Sequence, residues 1–272
     1  MDSKKHSIPY PLVEKNMKAL IFDLDDTLLI EEASAKTAML ETCEYAKQKY
    51  HIEPADLTET LKKICRSFWH ESPAREYCLR VGISSWEGLW SRFKGDGEDL
   101  KILREWSAEY QFNSWHHSLL QHGVDDREFA EELMNLFHAN RRKHHVQFDD
   151  VIPALAELKK SFKLGLLTNG APDIQREKIT GSGIDKFFSS IVISGEVGVG
   201  KPNPAVFEII LANLNAAPGD TAMIGNSLKS DIQPCKTLGI KSVWLNRDRK
   251  ENSSDIHPDL EVFDLYNFME NF

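Results

Sequence analysis

The chain has 272 residues, of which 41% are hydrophobic and 28% are charged, and its formal net charge at pH 7 is −9. This length allows one large or two modest domains, and the negative charge argues against nucleic acid or an anionic membrane as the main partner. The four cysteines show no metal-ligand spacing, and no apolar stretch approaches the ~18 residues of a membrane span, so we expect a reduced, cytoplasmic protein without membrane segments.

The first predicted element is a strand at about residues 18–23 that ends in two carboxylates. Asp23 and Asp25 follow the apolar run at residues 19–22 with one residue between them. Residues two apart on a strand share a face, so the two charges would be crowded and would need a cation or a shared proton. Such a pair suits an enzyme in which one carboxylate attacks the substrate and the other handles a proton. An ordinary acidic turn is the alternative interpretation.

Residues 30–148 show helical patterning. They are rich in Glu, Lys, Ala and Leu, hold five of the six tryptophans, and carry apolar residues at helical spacing, as in Leu133, Leu136 and Phe137. We predict an all-helical domain inserted directly after the first strand. Near its end, the basic run at residues 141–145 is predicted to be a solvated helix end, because the overall charge is too negative for a nucleic-acid surface.

The rest of the chain alternates strands with helices. Strands are predicted at about 163–168, 190–194, 221–225 and 241–246, helices near 151–161, 173–182, 204–214 and 229–238, and a last short strand and helix from Leu260 onward. This βαβ alternation predicts an α/β fold with a doubly wound, Rossmann-like parallel sheet. Residues 1–29 and 149–272 would form the core domain, and residues 30–148 the inserted helical domain.

Polar side chains follow three of these strands and complete the set of site candidates, which are Thr168 and Asn169, then Lys201, and finally Asn226 and Asp231. A hydroxyl and an amide are donors suited to phosphate oxygens, and a lysine in a proline-stiffened loop is a fixed positive charge. Because ligands bind at the carboxyl ends of strands in open α/β sheets, we expect one shared site. The alternatives are a plain Asn-Gly turn, a solvated lysine and a capped helix start.

In this order, the segments DLDDT, LLTNG, GKPNP and GNSLKSD resemble the four motifs of the haloacid dehalogenase-like hydrolase superfamily. The resemblance covers residues 17–29 and roughly 150–247. The helical insert between the first two motifs resembles the helical cap of this superfamily in its position and its helical character.

The resemblance implies a role for each matching residue. Asp23 would be the nucleophile and Asp25 the general acid/base. Thr168 and Lys201 would bind the transferring phosphoryl group, with Lys201 also part of the catalytic set and Asn169 a further substrate-binding candidate.

A Mg²⁺ cofactor is also implied, held by Asp23, the backbone carbonyl of Asp25, Asn226 and Asp231. The Asn is a departure, because phosphatase relatives usually carry Asp directly after the glycine of the last motif. An Asn oxygen still ligates a hard cation but removes one negative charge. Dehalogenating members, which use no metal, also tend to carry Asn there, yet they lack the second Asp of the first motif, which is present here as Asp25.

These features predict a Mg²⁺-dependent phosphomonoesterase that acts on a small phosphorylated metabolite through a phospho-aspartyl intermediate. Phosphoserine is the single substrate we would name, although the sequence does not select it. The alternatives are a hydrolytic haloacid dehalogenase that uses the same Asp23 and an inactive phosphate-binding regulatory protein, which only Asn226 favours. We expect a monomer or homodimer, with no nucleic-acid or membrane partner.

Overall fold

A computed structural model describes residues 17–143 and 145–270. Its strands are β1 (Ala19–Phe22), β2 (Lys163–Thr168), β3 (Ser190–Ile193), β4 (Thr221–Gly225), β5 (Lys241–Leu245) and β6 (Leu260–Val262). They form one parallel sheet in the order β3-β2-β1-β4-β5-β6. The predicted α/β fold with a parallel sheet is confirmed, and the strand ends that were predicted differ from those observed by at most one residue.

The sheet is covered by helices from the second half of the chain. They are α7 (Val151–Leu158), α8 (Pro172–Gly181), α9 (Ser194–Val197), α10 (Pro204–Leu214), α11 (Gln233–Leu238) and α12 (Leu265–Met269). Leu20 and Phe22 of β1 belong to one buried cluster, and Ala19 and Ile21 belong to another. Successive strand residues point to opposite faces, which explains why β1 is apolar throughout. Burying each Leu, Ile or Phe side chain contributes about 1.5–3 kcal/mol, so this short strand is anchored from both faces.

Among the described residues, six helices lie between β1 and α7, in agreement with the predicted helical insert. They are α1 (Glu31–Tyr50), α2 (Pro54–His70), α3 (Arg75–Val81), α4 (Ser85–Gly88), α5 (Glu98–Gln121) and α6 (Arg127–Lys143). Helix α2 packs on α5 and α1 on α6, and their buried side chains form a separate hydrophobic cluster that Ala171 and Ile174 of the core join. The domain limits at residues 29–30 and 148–149 stay a prediction. Across the described ranges, no helix combines the length and the apolar character that a membrane crossing requires.

One segment of the insert, α3 to α4, is hydrogen-bonded to the part of the core that follows β3, at α9 and the residue after it. The hydroxyl of Tyr77 donates to the carbonyl oxygen of Gly195 at 2.5 Å, and Arg80 Nε donates to that of Gly198 at 2.7 Å. In the opposite direction, the Ser194 hydroxyl donates to the Val81 carbonyl at 2.5 Å. These contacts hold this part of the helical insert, or cap, against the carboxyl ends of the strands.

The prediction that residues 141–145 form a solvated helix end is wrong at its first residue, while His144 lies outside the described residues. Arg141 is only 4% exposed. Its guanidinium donates to Glu31 Oε1 at 2.5 Å and lies over the ring of Trp90, with 4.8 Å between Cζ and the ring centroid. The overall charge is no guide to a single side chain, and here a carboxylate and an aromatic face compensate the burial of the guanidinium.

Candidate active site

The centre of the candidate site is a lysine between two carboxylates. Lys201 Nζ donates to Asp23 Oδ1 at 2.6 Å and to Asp231 Oδ1 at 2.7 Å. All three side chains are buried, and that of Asp231 is fully inaccessible to solvent. Asp23 directly follows β1, whereas Asp231 lies in a short π-helical segment, Leu228–Ile232, that follows β4. Because β4 is a neighbour of β1, the fold brings these distant residues together at one sheet edge.

Burial and the neighbouring charges shift the pKa values of Asp23 and Lys201 in opposite directions. Burial raises the pKa of Asp23 from 3.8 to about 7, and the positive charge of Lys201 opposes that rise. Burial also lowers the pKa of Lys201, but the carboxylates of Asp23 and Asp231 outweigh it and raise that pKa overall. Lys201 therefore remains a cation across the neutral range, and it supplies the neutralising charge that the sequence predicted for the first acid.

The loop that carries Lys201 is fastened by Asn169. The Asn169 amide donates from Nδ2 to the Lys201 carbonyl at 2.8 Å and accepts from the Lys201 backbone N–H at 2.8 Å. Gly200 permits this approach, because a Cβ at that position would lie 2.7 Å from Asn169 Oδ1. The Asn169 side chain is thus engaged in placing the lysine, and its direct contact with a substrate stays a prediction.

Asp25 has a lysine of its own. Lys178 Nζ donates to Asp25 Oδ1 at 3.0 Å, and Gln175 Nε2 donates to Asp25 Oδ2 at 3.0 Å. Burial lowers the pKa of Lys178, but Asp25, Glu31 and Glu87 raise it by more, so this side chain is also held as a cation. The two acids that the sequence places two residues apart are therefore compensated by separate lysines.

Thr168 is the last residue of β2 and is hydrogen-bonded to Gln175. Its hydroxyl oxygen accepts from Gln175 Nε2 at 2.6 Å, so a single amide joins Thr168 to Asp25. The other end of that amide, Gln175 Oε1, is buried without a hydrogen-bond partner among the described residues. Leaving a buried acceptor unsatisfied costs about 1–3 kcal/mol of stability, which suggests that this side chain is placed for something other than folding.

Asn226 follows β4 and faces the first carboxylate through Thr27. The Thr27 hydroxyl lies 3.1 Å from Asp23 Oδ2 and 3.4 Å from Asn226 Oδ1. The backbone of Asn226 is held by a hydrogen bond from its N–H to Thr27 Oγ1 at 3.1 Å and by one from Trp244 Nε1 to its carbonyl at 2.9 Å. The side-chain oxygens of Asp23 and Asn226 thus lie around one hydroxyl group.

Asp231, the last predicted metal ligand, is fully engaged within the protein. Its Oδ1 accepts from Lys201, and its Oδ2 accepts from the Ser227 backbone N–H at 2.9 Å. Gly225 leaves the room for this carboxylate, since a Cβ there would lie 2.3 Å from Oδ2. Direct ligation of a metal by Asp231 stays a prediction.

The donors near Asp23 are oxygens of mixed type. Within residues 17–143 and 145–270, no group of three or more His, Cys, Asp or Glu side chains is arranged to hold a metal ion. The candidate set instead comprises a carboxylate of Asp23, the amide oxygen of Asn226 and the main-chain carbonyl of Asp25. Oxygen donors of this kind suit Mg²⁺, which binds proteins through few carboxylates and keeps several waters.

Several residues of the site were missed by the sequence analysis, namely Thr27, Glu31, Glu87, Gln175 and Lys178. Burial raises the pKa of Glu87 to about 7, although Lys178 opposes it. A signal for two of them exists in the sequence. Gln175 and Lys178 lie on the same face of α8 as the buried Ile174, and polar residues on a buried helix face next to a strand end indicate a site.

The chain is similar in sequence to a known protein family and to known enzymes. The family model for haloacid dehalogenase-like hydrolases matches residues 17–239. The phosphoserine phosphatase of Thermus thermophilus is 34% identical over 250 residues, which cover 92% of this chain and 96% of that protein. The mouse N-acylneuraminate-9-phosphatase is 32% identical over 235 residues, which cover 85% of this chain and 83% of that protein.

A solved structure shares the fold. The HAD hydrolase YfnB of Bacillus subtilis, in a crystal form bound to magnesium, superposes with a TM-score of 0.63 at 23% sequence identity, covering 94% of this chain and 98% of that one. At this level of identity, the likeness bears on the fold.

Proposed function

The chain belongs to the haloacid dehalogenase-like hydrolase family, and we propose that within it the chain is a Mg²⁺-dependent phosphomonoesterase that acts on a small phosphorylated metabolite. The observation that carries the proposal is the pairing of Asp23 with Lys201 at 2.6 Å, beside an Asp25 that has a separate lysine. One acid is thereby available for attack on phosphorus and the other for proton transfer. The phosphatase names of two relatives that cover most of this chain support the same activity.

The reaction would proceed in two steps. Asp25 enters the first step in its protonated form. A carboxylate oxygen of Asp23 attacks phosphorus, the bond from phosphorus to the leaving oxygen breaks, and Asp25 gives that oxygen its proton. Asp25 then takes a proton from a water molecule whose oxygen attacks phosphorus, and the bond from phosphorus to Asp23 breaks. Inorganic phosphate leaves, and both acids return to their starting forms. Throughout, Lys201 holds Asp23 in place and offsets the negative charge of the phosphoryl oxygens.

A Mg²⁺ ion fits this site on the chemistry of its donors. Asp23, the main-chain carbonyl of Asp25 and Asn226 would hold it, with Asp231 a further candidate. When bound, the ion supplies positive charge next to the phosphoryl oxygens. The protein contributes the orientation of these donors, through the contacts of Thr27 with Asp23 and Asn226.

The substrate is proposed from the relatives. Phosphoserine and N-acylneuraminate 9-phosphate are both phosphate esters of a primary hydroxyl group, and we propose a substrate of that class, with phosphoserine as the first compound to test. The monomeric or homodimeric state and the cytoplasmic location remain predictions.

A screen of phosphorylated metabolites that measures phosphate release tests the proposed function. We expect turnover of at least one primary-alcohol phosphate with Mg²⁺ and its loss with a chelator. Release of halide from 2-haloacids without phosphate release would instead support the dehalogenase alternative. A folded protein that releases neither product, with phosphate bound in calorimetry, would support the regulatory alternative and contradict the proposal.

Replacing Asp25 with Ala should make turnover strongly dependent on the leaving group. For an alkyl phosphate, whose leaving oxygen needs a proton, we expect kcat/KM to fall by about 10²–10⁴-fold, the usual contribution of general acid–base catalysis. For an aryl phosphate such as p-nitrophenyl phosphate the loss should be much smaller. Steady-state kinetics on both substrates check this, and equal losses would show that Asp25 serves the structure or the metal instead.

Replacing Asn226 with Asp should tighten Mg²⁺ binding. One added charge near a divalent ion is worth several kcal/mol at an effective dielectric constant of ~20, and repulsion from Asp23 and desolvation offset most of it. We expect a net decrease of about tenfold, or roughly 1.4 kcal/mol, in the half-saturating Mg²⁺ concentration. Calorimetric titration and activity both report it, and Asn213→Asp adds the same charge on the exposed surface of α10 as a control. Identical titration curves for wild type and Asn226→Asp would remove Asn226 from the ligand set.

A further inference from the structure

One face of α8 is directed at the carboxylate of Asp25. Gln175 and Lys178 are three residues apart, so both lie on the same face of the helix. Each holds a different oxygen of Asp25, with Nε2 of Gln175 at 3.0 Å from Oδ2 and Nζ of Lys178 at 3.0 Å from Oδ1. With both oxygens fixed, the plane of the carboxylate is fixed as well.

The two donors approach Asp25 from the protein interior. Gln175 is fully buried and Lys178 is 1% exposed, whereas the side chain of Asp25 retains 29% of its accessible surface. The carboxylate is therefore supported from behind and remains open on its other side. A general acid/base needs such an arrangement, because it must reach the substrate while its orientation is held.

Gln175 ties this carboxylate to the phosphate-binding candidate. Its Nε2 also donates to Thr168 Oγ1 at 2.6 Å and lies 3.1 Å from the Asn169 carbonyl. The same amide leaves its Oε1 without a partner among the described residues. Packing alone would not favour an amide here, whereas an amide that sets Asp25 relative to Thr168 explains why it is retained.

Lys178 connects Asp25 to the helical insert. Its Nζ also contacts Glu31 Oε2 at 3.2 Å, and the other oxygen of Glu31 accepts from Arg141. Arg141 belongs to α6 and lies over Trp90, so the chain of contacts reaches into the cap. A buried lysine of this kind is costly to desolvate, and an apolar residue would serve the fold as well.

We propose that Gln175 and Lys178 are positioning residues that fix the carboxylate of Asp25 for proton transfer, and that Lys178 is itself held by the Glu31–Arg141 pair of the cap. The proposal rests on the proposed function, since it concerns the proton step of the phosphatase reaction. It assigns no contact with the substrate to either residue.

The test measures how kcat/KM depends on the leaving group in Lys178→Met and Gln175→Met. These variants remove the donors and keep an unbranched side chain, which in Lys178→Met is one atom shorter than the lysine. We expect kcat/KM to fall about 30-fold for an alkyl phosphate and about threefold or less for p-nitrophenyl phosphate, because misplacing the proton donor affects mainly the poor leaving group. In an Asp25→Ala background, adding Lys178→Met should change kcat/KM by less than about twofold, because residues that act through one another are not additive.

The matched control is Ile179→Ala on the same helix. Ile179 is as buried as Lys178 and belongs to the hydrophobic core, so its truncation lowers the melting temperature. The ratio of the two kcat/KM values should nevertheless stay as in wild type. Thermal melts of all variants separate stability from the leaving-group effect.

Every other outcome contradicts either this inference or the proposed function. Equal losses on both phosphates, no loss on either, or failure of both donor variants to fold would give Gln175 and Lys178 a structural role and overturn the proposal. A full additional loss in the Asp25→Ala background would also overturn it, because the lysine would then act independently of Asp25. If wild type itself releases no phosphate, the proposed function fails; if wild type and Asp25→Ala behave as expected and only the α8 variants do not, this inference alone fails.

Discussion

Replacing Asp23 with Asn should abolish turnover and leave the fold intact. The carboxylate oxygen that would attack phosphorus becomes an amide, and loss of a covalent nucleophile costs far more than 10²-fold in rate. We expect less than ~1% of wild-type kcat with any substrate. The amide oxygen can still accept the hydrogen bond that Lys201 Nζ donates to Asp23 Oδ1, so the site should keep its shape.

The same variant should become more stable relative to wild type as the pH rises. Burial raises the pKa of Asp23 to about 7 from 3.8, so the folded wild type binds a proton more tightly than the unfolded chain does. Wild type therefore loses stability as the pH rises from about 4 through 7, and an Asn does not. Melting temperatures of both proteins at pH 5 and pH 8 check this.

Asp26→Asn is the matched control for Asp23→Asn. Asp26 Oδ1 accepts from the backbone N–H groups of Glu31 and Glu32 at the start of α1, and Asn performs that capping role equally well. This control should keep nearly full activity. Turnover by Asp23→Asn above ~1% of wild type, with Asp26→Asn behaving normally, would contradict the nucleophile assignment.

Replacing Lys201 with Met should reduce both activity and stability. Asp23 and Asp231 would then face each other in a buried site without a cation, and removing one partner of a buried ion pair costs about 3–5 kcal/mol. Activity should fall by at least about 10²-fold, since removing one electrostatic group from an active site typically costs 10²–10³ in kcat. Denaturant unfolding and steady-state kinetics measure the two effects.

A double variant separates these two consequences. Adding Asp231→Asn to Lys201→Met removes one of the two uncompensated charges, so stability should recover in large part while activity does not. The control is Lys229→Met, at an exposed lysine of the π-helical segment that carries Asp231. It should change the free energy of unfolding by no more than about 0.5 kcal/mol. Lys201 would have only a structural role if activity returned together with stability in the double variant.

The sequence predicted the sheet well because its strands are short, apolar and punctuated by polar turns. The run at residues 19–22 is buried on both faces and therefore needs no alternation of polar and apolar residues. The candidate residues at the strand ends could also be predicted, because a parallel sheet gathers its carboxyl ends at one edge. The structure brings Asp23, Lys201 and Asp231 into direct contact across more than two hundred residues of chain.

The partners of these residues were harder to predict. Lys178 is a lysine in an ordinary helix until the tertiary contact with Asp25 gives its burial a reason. Arg141 was misjudged for the same reason, since its burial depends on Glu31 and Trp90 from distant parts of the chain. Local patterning reports which face of a helix is apolar, but it does not report which charges that face will meet.

The position of β1 in the sheet has a consequence for how the protein is made. β1 is synthesised first, yet its two neighbours are β2, which begins at Lys163, and β4, which begins at Thr221. The helices of the insert lie between β1 and β2 in the chain, and each closes its backbone hydrogen bonds within itself, so they can form while the ribosome is still extending the chain. During that time the apolar segment Ala19–Phe22 has neither of its neighbouring strands to pair with. We expect the nascent chain to depend on chaperone protection of this segment until β4 has emerged.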